Sequence, residues 1–170
     1  FDYIIAHGLF SWVCEDVVRK LLSILGDHLK PDGVSFMSLN VMPGNYYFQT
    51  AREMMLFHGR NEPDPYKKLA MTEELMRLIK KHGPDNPAYK AQLGLCRHVL
   101  VQNPPEYSLH DHFCDENNPV YYSQLVQILA SFGLKPLCDA NYPIVAGQDL
   151  PQELKSWIQA QAHDAHQLEQ

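Results

Sequence analysis

Three groups of residues in this 170-residue chain combine side-chain type with a spacing that could do chemistry. The first is the run from His7 to Trp12. It holds an imidazole able to orient or deprotonate a substrate and an indole able to wall a pocket, with His7-Gly8 breaking the strand before it. The second is Asn40, an amide just ahead of the turn Met42-Pro43-Gly44. The third is His110-x-His112-x-Cys114-Asp115, metal-type donors on alternate positions. Structural zinc calls for a second spaced pair, and only Cys96 and His98 offer further donors. A polar loop whose histidines bond locally is therefore expected there, and no metal is assigned. Phosphate-cradling glycine loops, zinc-protease motifs and nucleophile elbows are all missing from the sequence.

The elements that must position these groups follow from apolar spacing. Tyr3–Ala6 is a continuous apolar run, the pattern of a strand covered on both faces. Glu15 and Asp16 open a helix whose Val17, Val18, Leu21, Leu22, Ile24, Leu25 and Leu29 recur at helical spacing. Lys30-Pro31-Asp32-Gly33 stops it, and Val34, Phe36 and Met37 begin a second strand that Asn40 ends. Residues 1–44 thus read as one βαβ unit. Ligands bind beyond the carboxyl ends of strands in open α/β sheets, which is where the first two groups fall.

Helices are expected over Tyr46–His58, with Phe48, Ala51, Met54, Met55 and Leu56 inward, and over Tyr66–Lys81 and Pro87–Val101, the last with Leu93, Leu95, Val99 and Leu100 inward. Asn61–Pro65, with two prolines, is the best internal boundary. Pro104–Asn118 reads as a polar loop and Pro119–Phe132 as a helix. Leu134–Cys138 reads as a short strand and Tyr142–Leu150 as a loop. A last helix is expected over Pro151–Leu168, with Leu154, Trp157 and Ile158 inward.

Composition bounds the function. The chain is 45% hydrophobic and 20% charged, which suits a packed core. Its net charge of -6 argues against a nucleic-acid partner. Cys14, Cys96, Cys114 and Cys138 are scattered, as expected of reduced, buried thiols in a cytoplasmic protein. No apolar run reaches the roughly 18 residues of a membrane span, so no membrane partner is expected.

Phe1–Trp12 resembles the fourth-strand motif of class I S-adenosylmethionine-dependent methyltransferases, and His28-Leu-Lys-Pro-Asp-Gly-Val34 resembles the turn before their fifth strand. Ala6-His7-Gly8-x-x-Ser11-Trp12 followed by Ser38-x-Asn40-x-x-Pro43-Gly44 narrows the likeness. It is similar to bacterial methyltransferases that carry a helical methyltransferase regulatory domain, a group that includes protein lysine methyltransferases. Tyr107–Tyr122, Gly133–Ala140 and Asp149–Leu154 resemble later segments of the same group. Cys14 stands where that pattern has proline, and Asn45 where it has tryptophan.

The resemblance implies an α/β fold. It would be a partial doubly wound, Rossmann-like sheet over residues 1–62, a mainly α-helical regulatory domain over 63–133, and a returning strand and helix over 134–170. It implies a fragment of a methyltransferase, inactive alone, because the family's Gly-rich cofactor loop would lie before Phe1. S-adenosylmethionine is the implied cofactor of the parent protein, with none expected on this fragment. His7 would be catalytic, and with Gly8 it would also touch the cofactor. Gly8, Trp12, Asn40, His110 and His112 would lie on the side of a protein or small-molecule methyl acceptor. The alternative is a non-catalytic helical protein-binding module over Asp64–Phe132. Half a sheet would also leave Tyr3–Ala6 as a bare edge. That edge is expected to be covered by a second copy in a homodimer or by a rearranged segment, or else residues 1–12 are disordered.

Overall fold

The computed structural model describes residues 1–141 and 150–162. Their element order is β1 (Tyr3–Ala6), a 3-10 turn (Phe10–Trp12), α1 (Glu15–His28), β2 (Val34–Met37), β3 (Val41–Met42), α2 (Tyr46–His58), α3 (Pro65–His82), α4 (Pro87–Gln102), α5 (Pro105–His112), β4 (Val120–Tyr121), α6 (Tyr122–Ala130) and α7 (Gln152–Gln161). The expected loop over Tyr142–Leu150 and the end of the last helix lie outside the described residues, apart from Leu150. So do the side chains of Ala51, Val99 and Leu100.

The chain divides into two compact units, Phe1–Pro43 with Asn118–Gln170, and Gly44–Asn117. The breaks therefore fall at 43/44 and 117/118, not at the expected 62/63 and 133/134. The reason is packing. Met55 of α2 belongs to the core of the second unit, while Leu125 and Leu129 of α6 belong to the core of the first.

In the first unit β1 and β2 pair in parallel, Tyr3 opposite Val34 and Ala6 opposite Met37. Ile4, Ile5, Val34 and Phe36 are thus neighbours on adjoining parallel strands, as the βαβ reading requires. Alternation decides what is buried. Ile4 packs with the core of Phe10, Leu22, Leu25, Leu125 and Leu129, and Ala6 is buried, whereas Tyr3 and Ile5 are 76% and 73% exposed. The strand is therefore covered on one face, not two. Residues 1–12 are ordered as a strand, a turn and a 3-10 turn, and among the described residues no strand pairs with the outer edge of β1.

A second short parallel pair joins β3 to β4, Val41 opposite Val120 and Met42 opposite Tyr121. Pairs of two residues are too short to show an apolar period, so neither strand was expected. Leu134–Cys138 is not a strand, consistent with Pro136 removing a ladder donor. Leu154 and Trp157 of α7 are exposed, 42% and 63%, not inward.

The second unit holds α2, α3, α4 and α5. Its helices start where capping chemistry dictates. Asp64 accepts from the Tyr66 and Lys67 N–H groups ahead of α3, Asn86 accepts from Tyr89 N–H ahead of α4, and a proline follows each cap. Met55, Leu69, Met76 and Cys96 form its buried cluster, with Leu109 and Phe113 against it. The segment expected as a polar loop contains α5. Its sequence carried the cues, with Pro105 at the first position, Glu106 in the first turn and histidines in the last.

Gly26 tests the close packing of α1 on the end of α6. A Cβ there would stand 2.5 Å from the Phe132 carbonyl oxygen, whereas at Gly94 of α4 nothing lies within 4 Å. Helix propensity alone favours alanine at both by about 1 kcal/mol. Overpacking reverses the sign at Gly26, because the atom to be moved is backbone. Gly26→Ala is expected to destabilise by about 1–2 kcal/mol and Gly94→Ala to stabilise by up to about 1 kcal/mol, both read by urea unfolding.

Candidate functional site

The first unit brings the ends of β1 and β2 together. Gly8 N–H donates to Ser38 Oγ at 2.6 Å, and Ser38 N–H donates to the Ala6 carbonyl at 3.3 Å. His7 is exposed, its ring stacked on Phe36 with centroids 6.0 Å apart and 11° between planes. Gly8 has φ 63, a left-handed conformation that favours glycine, and open space where a side chain would begin. Trp12 is half-buried, and its indole N–H is buried with no hydrogen-bond partner among the described residues. Ser11, wholly buried, accepts the Asn40 backbone N–H at 2.8 Å. His7, Gly8, Trp12 and Asn40 thus belong to one pair of loops at the carboxyl end of one parallel ladder. Sequence reasoning included Ser11 and Ser38 in a motif but gave no role to them or to Asn118, which hold these loops.

His110 and His112 lie in the second unit, on α5. Residues two apart on a helix do not share a face. His110 is exposed, and His112 is 3% exposed. Among the described residues no three His, Cys, Asp or Glu side chains converge as a metal site. Cys14 and Cys138 are exposed, against the expectation of four buried thiols, while Cys96 is buried and Cys114 half-buried.

His112 has an unusual setting. Its ring lies 4.3 Å from that of Phe48, centroid to centroid. Nδ1 is 3.3 Å from an Asp111 carboxylate oxygen without hydrogen-bond alignment, and neither ring nitrogen has a hydrogen-bond partner among the described residues. Burial pushes its pKa down, opposed by the Asp111 carboxylate and reinforced by Arg52. Arg52 is itself 6% exposed, and it donates to the Cys114 and Asp115 carbonyls just beyond α5. A buried guanidinium is satisfied here by carbonyls of the turn that follows the helix. The Cys114 thiol, pushed up by burial, donates to the Glu116 carbonyl. The signal for Arg52 was present, since Phe48, Arg52 and Met55 fall at i, i+4 and i+7 on one stripe.

Comparison with known proteins fits this geometry. No family model matches the chain. It is 31% identical over 128 residues to an uncharacterized protein of Rickettsia prowazekii, covering 75% of this chain and 51% of that protein. It is 28% identical over 165 residues to a second uncharacterized protein of the same organism, covering 94% of this chain and 29% of that protein. Among solved structures it is similar to PKMT2 from Rickettsia typhi, with a TM-score of 0.78 and 29% identity. That likeness covers 99% of this chain and 32% of PKMT2. The same protein in complex with AdoHcy matches equally. The fold is methyltransferase-like. The chain spans between about a quarter and about a half of the length of the curated relatives it matches. No helix among the described residues is long and apolar enough to cross a membrane.

The buried histidine sets a pH dependence. An unfolded His112 titrates near its ordinary value of 6.5, and the folded one lower. Below that value the unfolded chain takes up a proton that the folded chain refuses. Stability is therefore full above it and lost as pH falls toward the folded pKa. His112→Leu is expected to flatten the loss seen by helix circular dichroism in urea between about pH 7.5 and about pH 5. An unchanged slope would mean that another group carries it.

Proposed function

We propose that this chain is the acceptor-facing part of an S-adenosylmethionine-dependent methyltransferase whose remaining residues lie elsewhere in a longer protein. One observation supports the reading above the others: 99% of the chain superposes on a protein solved with AdoHcy, yet it accounts for 32% of that protein. The loop at the end of β1 suits the cofactor chemically. Gly8 leaves its backbone open to close approach.

Methyl transfer needs alignment and a deprotonated nucleophile. S-adenosylmethionine, when bound, supplies an electrophilic sulfonium methyl. His7 takes the proton from the acceptor's nucleophile or orients it, and its stacking on Phe36 limits the ring's freedom. Gly8 gives close access for cofactor and acceptor, Trp12 walls the site, and Asn40 flanks it from β2. The acceptor is a protein or a small molecule, with protein lysine the class suggested by the resemblance. His110, the exposed imidazole of the helical unit, is assigned to acceptor binding. His112 contributes through the fold of α5, since burial keeps it from a ligand at the surface.

A non-catalytic protein-binding role for the helices is the second reading. It draws on Tyr46, Phe57, Tyr66 and Tyr107, each at least half exposed in the second unit. Kinetics separate the two. In a protein of the relatives' length that carries this segment, His7→Ala is expected to lower kcat/KM for methyl transfer by about a hundredfold, with the fold unchanged by circular dichroism. The 170-residue chain alone is expected to give no heat when titrated with S-adenosylmethionine. Micromolar binding by this chain would overturn the division of the site between it and the rest of a longer protein.

A further inference from the structure

The chain passes between its two compact units twice, after Pro43 and before Asn118. Within the first unit, both passages are tied to one residue. The Oγ of Ser11 accepts the backbone N–H of Asn40, the residue before β3, at 2.8 Å. The carbonyl of the same residue accepts the backbone N–H of Asn118, two residues before β4, at 2.8 Å. The ring of bonds closes on itself. Val120 N–H donates to the Asn40 carbonyl at 3.1 Å, and the Asn118 side-chain amide donates to the Val13 carbonyl at 3.3 Å. Ser11 is 0% exposed, so water cannot readily replace it as the acceptor for the Asn40 N–H.

We propose that Ser11 is a positioning residue that couples the His7–Trp12 loop to both chain passages. It rests on reading that loop as the acceptor side of a methyl-transfer site, and it adds what holds the loop to the two chain passages within the first unit. The mechanism is geometric. Asn40 is held through its N–H by Ser11 and through its carbonyl by Val120, so a shift of the loop carries β3 and β4 with it. A shift of either passage likewise reaches Trp12, the next residue, and His7, four residues earlier on the same loop. Bonds that share groups in this way open together, not singly. An acceptor or cofactor that moves the loop would therefore be felt where the chain enters and leaves the helices.

Amide hydrogen exchange and side-chain resonances of the intact chain test this. In the wild type, the Asn40, Asn118 and Val120 amides are expected to share one protection factor within about threefold, the mark of a single opening. Ser11→Ala should accelerate all three by about tenfold, the weight of one hydrogen bond, while the β1–β2 ladder amides keep their protection. It should also shift the His7 imidazole and Trp12 indole signals. Asn118→Ala, changed at the other end of the ring, should shift the same His7 signals. A serine that merely fills space would leave His7 unmoved by Asn118→Ala. Wild-type protection factors that differ by more than about tenfold among the three amides, or His7 signals unmoved in both variants, would overturn the coupling. None of these measurements uses cofactor or acceptor, so the coupling can fail while the methyltransferase reading stands, and the reverse.

Discussion

A ladder of two four-residue parallel strands is the constraint on which the site depends. Parallel pairing sends both strands out at the same end, so the residues after Ala6 and after Met37 must emerge side by side. The helix between them is long enough to make that crossover, and Leu22 and Leu25 bury it completely on its inner face. An antiparallel pairing would have put His7 and Asn40 at opposite ends of the ladder. The Gly8–Ser38 and Ser11–Asn40 hydrogen bonds then turn proximity into a fixed arrangement.

The ladder also leaves a surface. Tyr3 and Ile5 on β1, with Val34 and Phe36 on β2, project from the face opposite the core and remain 38–76% exposed. A parallel sheet is ordinarily covered on both faces, and this one is covered on one. That asymmetry accords with a chain that matches only a part of its relatives' length. His7 stacks on Phe36 at the edge of this apolar face.

The helical unit is organised differently, around polar groups inside its core. Arg52 and His112 are both more than nine-tenths buried. Arg52 donates to the Cys114 and Asp115 carbonyls in the turn after α5, and this offsets the cost of removing its charge from water. His112 meets no hydrogen-bond partner among the described residues and stays neutral, with the Asp111 carboxylate only partly opposing its burial. The two side chains tie α2 to α5 in a way that apolar packing alone would not specify.

Much of this was readable from residue order. A continuous apolar run marked β1, apolar spacing near 3.6 marked α1 and α2, the apolar cluster after a Pro-Asp-Gly turn marked β2, and proline with an acidic or amide cap marked the starts of α3 and α4. That His7, Gly8, Trp12 and Asn40 follow the ends of the two strands was also legible, since both strand ends could be read from the sequence. Other features belonged to the tertiary structure alone. The β3–β4 pair joins residues about eighty positions apart through two-residue strands, too short for any periodic signal. Which face of β1 is buried, where the units divide, and that His110 and His112 part company on a helix were all settled by packing. A side chain's surroundings depend on segments distant in the chain, and local order carries no record of them.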